Sequence, residues 1–473
     1  MANKRIDELT AATPVIGDFV ATTGVGGPAT KATVKQVYDA NISTAMVIAY
    51  TGTAPPAIPF LVSPSIGVQS ASGTVAVPNG VVAESLAYPL FFVSTAPFTN
   101  NLSSSLTFSN LCGVKGNVTV SQFASMTSLS FPVLSFVHGN INIASNAVQT
   151  ALSLPNLAYI GNVFTVSGSA LVSLSLPVLK YVFAQVNVSS SSQLTSISAP
   201  TLTVVGSLGF TTCNLLNSVS MPSLTTVCTN IVLTTLPALV TWSLPAVTFI
   251  GGTLQTVGVT SLTTVSMPVL KTLQYLNFSG PNLMTAFSLP ALESTGQFFL
   301  SNLGSLTSIN LPVHASNEGR LFLSSLPSIT TINFPALVQT GVDFLRTVFT
   351  NGDIYLTSMA ALTTFTLPVI EVIGSSASTS IDTSNGGTAA LSTFTLGSTL
   401  QRVNGNVIMT SCALLVASVD GLLVRLAALD GTGLTTAYST KTVTITGTSA
   451  TPSATGLAAK ATLVARGCTV THN

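Results

Sequence analysis

Charge is what this sequence lacks most. Of 473 residues, 14 are Lys or Arg and 13 are Asp or Glu, only 6% of the chain, where a soluble domain ordinarily carries about 25%. The formal net charge is +1, so there is no electrostatic basis for binding nucleic acid or an anionic membrane surface. The surface must instead be covered by Ser, Thr, Asn and Gly. Mean hydropathy is +0.64, yet no apolar run approaches the ~18 residues of a spanning helix, and membrane insertion is not expected. Between Glu84 and Glu293 there is no Asp or Glu at all. A glycosidase needs two carboxylates about 5–9.5 Å apart. The later candidates, Glu293, Glu318, Asp343, Asp353, Glu371 and Asp382, show no pair on one strand face, so an enzyme is not expected. His138, His314 and His472 are isolated and no Cys-x-x-Cys spacing exists, so neither a metal nor a cofactor is expected. Cys112, Cys213, Cys228, Cys412 and Cys468 are an odd, scattered set. They read as reduced thiols packed as small apolar groups, consistent with assembly in a cytoplasm.

What is present is a period. Pro132, Pro155, Pro177, Pro200, Pro222, Pro245, Pro268, Pro290, Pro312 and Pro335 are spaced 22 or 23 residues apart. Each sits in the frame apolar-x-x-apolar-x-apolar-Pro-x-apolar, as in LVSLSLPVLKYV around Pro177. The frame recurs at Pro368 and again where Gly397 replaces proline, making about twelve turns. A second short alternation accompanies each frame, such as NIVL ending at Leu233 or RLFL at Leu323. Period two predicts strands. Each repeat therefore holds two short strands separated by a proline corner, too little to bury its own apolar face. Stacking repeats at ~4.8 Å solves this and makes a rod roughly 55–60 Å long. The residue two before each of these prolines, and before Gly397, is small and polar, from Ser130, Ser153 and Ser175 to Asn333, Thr366 and Thr395. Outward positions on a parallel stack meet their own copies, where like charges repel and hydroxyls do not. His314 occupies a slot that other turns fill with Leu or Ile, and a register shift leaving it exposed is expected. Trp242 is expected in the core.

One gradient breaks the monotony. At the outward position of the second strand, Asn142, Asn187, Gly209 and Asn277 give way to Phe299, Phe322 and Tyr355, with Arg320, Asp343, Arg346 and Asp353 nearby. Here Pro335 to Pro368 is 33 residues and Pro368 to Gly397 is 29. Insertions near 341–351 and 375–387 are expected to leave the stack as loops, where binding residues concentrate. Phe299, Phe322, Tyr355, Arg320, Arg346 and Asp353 are the candidate binding residues. Exposed aromatics with Arg suit stacking on sugar faces or burial against a protein, so host-surface recognition and a subunit or virion contact are both open.

The LxxLxL motif with its 22–23-residue period resembles the leucine-rich repeat superfamily, and LxxLxLPxLxxVxGNVxV is similar to receptor-L-domain-like and related bacterial and phage proteins. The expected fold is all-β, a parallel β-solenoid of leucine-rich-repeat type. Residues 109–419 form the solenoid, 46–108 a small β connector, and 420–473 an α/β cap with helices in DGLLVRLAALDG and SATGLAAKATLVARG. Residues 1–45 carry Lys4, Arg5, Asp7 and Glu8, and KRIDELTAATPVIGDFVATTGVGGPATKATVKQV resembles N-terminal docking segments of tailed-bacteriophage virion proteins. The resemblance implies a virion protein assembled in the host cytoplasm, either a tail fibre or adhesin or a head fibre or decoration protein. It implies docking to other virion proteins through residues 1–45, a host surface glycan or protein as partner, and a homo-oligomer, commonly a trimer. A polysaccharide-cleaving spike and a bacterial adhesin are the remaining readings. The apolar core of a signal peptide is not present in this segment.

Overall fold

The structure is a computed structural model. It describes residues 104–473, apart from 109–110, 122, 124, 281, 342–352, 375–378 and 385–386, together with the backbone of five short strands before residue 104. The fold is mostly β, a parallel β-solenoid of about 15 turns of about 23 residues. The chain forms two compact units, residues 1–171 with 175–179, and residues 172–174 with 180–473.

In the second unit the turn beginning at Thr226 shows how the repeat folds. A two-residue strand, Thr226–Val227, is followed by Ile231–Thr234 and, past a corner, by Thr241–Ser243. The expected two strands per repeat are therefore three segments. In other turns the first two merge into one bent strand, as in Val204–Thr211 and Thr272–Ser279. Val227, Ile231, Leu233, Leu236, Leu239, Leu244 and Val247 all point inward and are fully buried, and Trp242 lies among them as expected. Each such side chain contributes about 1.5–3 kcal/mol by leaving water. Outward Ser243 faces Ser266 one turn on, and Thr241 faces Thr264.

Proline works at the corner because it cannot donate. In Met221-Pro222-Ser223-Leu224 the Leu224 N–H returns to the Met221 carbonyl at 3.2 Å, and Val247 does the same to Leu244 at 3.3 Å. Proline thus holds the second position of a β-turn, where its fixed φ is favoured. Gly397 departs from this for a visible reason. Its N–H donates to the Leu367 carbonyl at 2.9 Å, and a Cβ there would lie 1.9 Å from the Pro368 carbonyl oxygen.

The opposite corner carries a residue with positive φ in turn after turn: Thr212, Thr235, Gly258, Gly280, Asn302 and Ser325. The conformation lets its N–H keep pairing with the next turn, Thr235 with Val257 O at 2.8 Å. For a β-branched residue it costs roughly 1–2 kcal/mol. Thr212→Gly/Thr235→Gly should therefore raise stability by about 1 kcal/mol after the entropy of glycine is subtracted, measured by urea unfolding; an unchanged or lower midpoint would contradict the strain.

Hydroxyls do more than tolerate stacking. Thr203, Thr225 and Thr248 each donate Oγ1 to a carbonyl one turn back, on Lys180, Thr203 and Thr225, at 3.1, 3.1 and 3.3 Å. A second column repeats this with Thr263 on Val240 and Thr363 on Thr330. The near absence of charge follows from columns that need a small donor at every level.

In the first unit the ladder begins before residue 109, since Val81–Ala83 and Leu86–Tyr88 pair in parallel with Leu111–Val114 and Val118–Ser121. At the other end, strands Thr442–Gly447 and Thr469–His472 extend the ladder beyond Asn406–Cys412. Two helices flank them, α1 (Val416–Ala427) and α2 (Ala454–Ala465). Helix α1 starts four residues before Asp420, where the sequence places it, and the added first turn already packs Ser418 and Val419 inward. The Asp420 carboxylate accepts from the Ser453 N–H at 3.0 Å and from its hydroxyl, fastening the start of α2 to α1.

Candidate functional site

Parallel register converts the outward gradient into a column. Asn277 faces Phe299, Phe299 faces Phe322, Phe322 faces Tyr355, and Tyr355 faces Asp382. The rings stack on one another: Phe299 on Phe322 with centroids 4.9 Å apart and planes 22° apart, Phe322 on Tyr355 at 5.2 Å and 9°. Tyr275 closes the lower end edge-on to Phe299 at 5.3 Å. All of them are half-buried. The π faces are therefore spent on each other, and ring edges are what the column presents. The sequence left sugar stacking and burial against a protein both open; the geometry suits the protein better, because stacking on a sugar needs open ring faces.

Beside this column runs a second one, two residues earlier in each strand. Arg320 lies next to Asp353 there, Nη2 to Oδ2 3.7 Å, and its guanidinium carbon is 5.8 Å from the centre of the Tyr355 ring. Asp353 is 5% exposed, and its Oδ1 has no hydrogen-bond partner. Burial pushes its carboxyl up to about 6; Arg320 opposes the rise and the nearby Asp382 adds to it. Asp382 is half-buried and accepts from the Ser384 N–H at 2.7 Å. Burial also raises the Tyr275 phenol, against the pull of Arg320.

The interior changes character under the same turns. One inward column runs Val205, Val227, Ile250 and Leu273, then becomes Thr295, Asn317 and Thr340. His314 faces these polar residues and is 1% exposed, so the expected exposure is wrong. Thr295 Oγ1 lies 3.4 Å from His314 Nε2 and donates to Asn317 Oδ1 at 2.8 Å, while Asn317 Nδ2 donates to Gly319 O at 2.6 Å. A polar partner inside the core lets the imidazole take the apolar slot without a register shift. Its Nδ1 has no partner, and burial lowers its pKa to about 4.

The structure thus brings together Phe299, Phe322, Tyr355, Arg320 and Asp353. Arg346 and the docking residues Lys4, Arg5, Asp7 and Glu8 lie outside the described residues, as does most of the 341–351 insertion. Part of the second insertion is no loop: Thr379–Asp382 is a ladder strand paired with Ile354–Thr357 and Asn406–Cys412. Sequence reasoning missed Tyr275, which the period-two alternation two residues before Asn277 could have indicated. It also missed the partnership of Asp353 with Asp382, since carboxylates on adjacent turns are 29 residues apart in sequence. Cys213, Cys412 and Cys468 are buried thiols as expected, whereas Cys228 is exposed, on an outward position. Among the described residues no group of three His, Cys, Asp or Glu could hold a metal ion, and no helix is long and apolar enough to cross a membrane. Compared with protein-family models, with curated proteins and with solved structures, the chain matches none of them.

Proposed function

We propose that the chain is a non-catalytic structural protein of a tailed-bacteriophage particle, a tail fibre or receptor-binding adhesin. It docks through residues 1–45 and presents a leucine-rich-repeat-like solenoid for attachment to the host surface. The observation that carries the attachment surface is the ring column Phe299–Phe322–Tyr355, with Tyr275 against its lower end, because it takes over a column that holds Asn187, Gly209, Gln255 and Asn277 in earlier turns. Contiguous, partly exposed rings are a surface from which a partner gains by excluding water. The phage assignment rests on the likeness of the N-terminal segment. A head fibre or decoration protein has the same plan of anchor and stack, and a homo-oligomer fits either. A polysaccharide-cleaving spike finds one favourable observation, the raised carboxyl of Asp353 near Asp382. Against it, Asp353 is buried beside Arg320, where it cannot hand a proton to a glycosidic oxygen.

The test is retention of the labelled full-length chain on whole bacterial cells across a strain panel, beside Phe322→Ala/Tyr355→Ala. Strain-selective retention lost in the variant supports the assignment. Equal retention of both proteins, or none on any strain, overturns this surface. Shortened polysaccharide chains after incubation would favour the spike instead.

A further inference from the structure

The upper end of the aromatic column carries an imbalance of charge that the fold does not resolve. Tyr355, the last ring, faces Asp382 on the next strand. Ile354 faces Ile381, which sets Asp353 diagonally beside Asp382 in the neighbouring column. Among the described residues, two carboxylates therefore share this end with one guanidinium. Arg320 reaches Asp353 at 3.7 Å from the side of the preceding turn, and Asp382 accepts from the Ser384 N–H at 2.7 Å. Asp353 is 5% exposed with Oδ1 unpartnered, a placement that costs stability unless something offsets it. Arg320 offsets one of the two carboxylates, so the end of the column keeps an excess of one negative charge, centred on the half-buried Asp382.

Resting on the reading of this column as an attachment surface, we propose that its partner is a protein that lays apolar side chains along the ring edges and seats a Lys or Arg on Asp382, over Asp353. Charge complementarity selects a cationic group at this end. The closed ring faces select a protein over an amino sugar, since the sugar would need a face to stack on. The apolar ridge supplies desolvation, and the carboxylates supply register and orientation.

The probe is a short alternating leucine–lysine peptide, titrated into the full-length chain by fluorescence anisotropy beside a leucine–glutamate peptide and a chitosan oligosaccharide. The leucine–lysine peptide should bind and weaken with added salt. Asp382→Asn and Asp353→Asn should each reduce its affinity about tenfold. Asp353→Asn should also raise the melting temperature, because it removes a buried charge while keeping the shape, which separates lost binding from lost folding. Equal binding of the leucine–glutamate peptide, unchanged affinity in both variants, or no binding of any probe would overturn the proposal. Chitosan binding that depends on the two carboxylates, without peptide binding, would replace the protein by an amino sugar and overturn it too. The parent reading is tested separately on cells. If attachment needs Phe322 and Tyr355 but survives both Asp variants, recognition stands and the cationic partner falls; if neither set matters, both fall.

Discussion

Leu244→Asp should unfold its section of the solenoid. Leu244 is fully buried, its N–H pairs with Ser266 O at 3.0 Å, and its carbonyl accepts the proline-turn hydrogen bond of Val247 at 3.3 Å. The backbone has no freedom to turn the side chain outward without breaking both bonds. Met221 and Met267 hold the same position in the adjacent turns, so the carboxylate would lie between sulfur and methylene groups in the dry core. The loss combines the Leu transfer energy, about 2–3 kcal/mol, with burial of an unpaired acid, giving roughly 5 kcal/mol or more. Repeat arrays fail by neighbour, because each turn stabilises only those it touches. Calorimetry should show an early transition, and hydrogen exchange should confine it to turns around residues 220–270. A variant that melts like wild type would refute the inward register of the whole stack.

The second large effect is at His314, and its sign depends on pH. In the unfolded chain an imidazole titrates near 6.5; folded, burial lowers His314 to about 4. Between these values the unfolded state holds more protons, so stability contributed by keeping the ring neutral is full above 6.5 and is lost as pH falls towards 4. The loss amounts to about 3 kcal/mol. Asp353 works the other way. Its folded carboxyl is raised to about 6, so its penalty is full above that value and is relieved as pH falls. The wild-type curve is therefore a sum of opposing slopes, and a variant is needed to separate them. His314→Leu restores the residue common to this slot and removes the unpartnered Nδ1. At pH 7 it should be more stable by about 1–3 kcal/mol, with the advantage widening by about 3 kcal/mol at pH 4. Urea unfolding of both proteins at the two pH values measures this directly. A constant difference would mean that His314 is hydrated.

Much of this architecture is legible because a solenoid writes its geometry as a period. Pro222, Pro245 and Pro268 mark successive corners, and each corner has one reason, a β-turn whose second residue needs no N–H. Phe299, Phe322 and Tyr355 were identifiable as outward neighbours from alternation and period together. The burial of His314 was not, because an imidazole in an apolar slot is polar by composition alone; Thr295 and Asn317, which meet it inside the core, lie 19 and 3 residues away. Thr379–Asp382 was hidden for a different reason. Its turn lacks the regular spacing, and only the pairing of Tyr355 with Asp382 shows that the strand rejoins the ladder.

The sequence by itself determined the parallel stack, the length of a turn, the inward leucines and the scarcity of charge, since all four follow from copies of one frame placed beside each other. Tertiary structure alone decided what the exceptions do. Whether rings stack on each other or open to solvent, and whether Asp353 meets water, Arg320 or the field of Asp382, depends on side chains from different turns approaching within a few ångströms. That approach is set by the register between strands, which no single repeat contains.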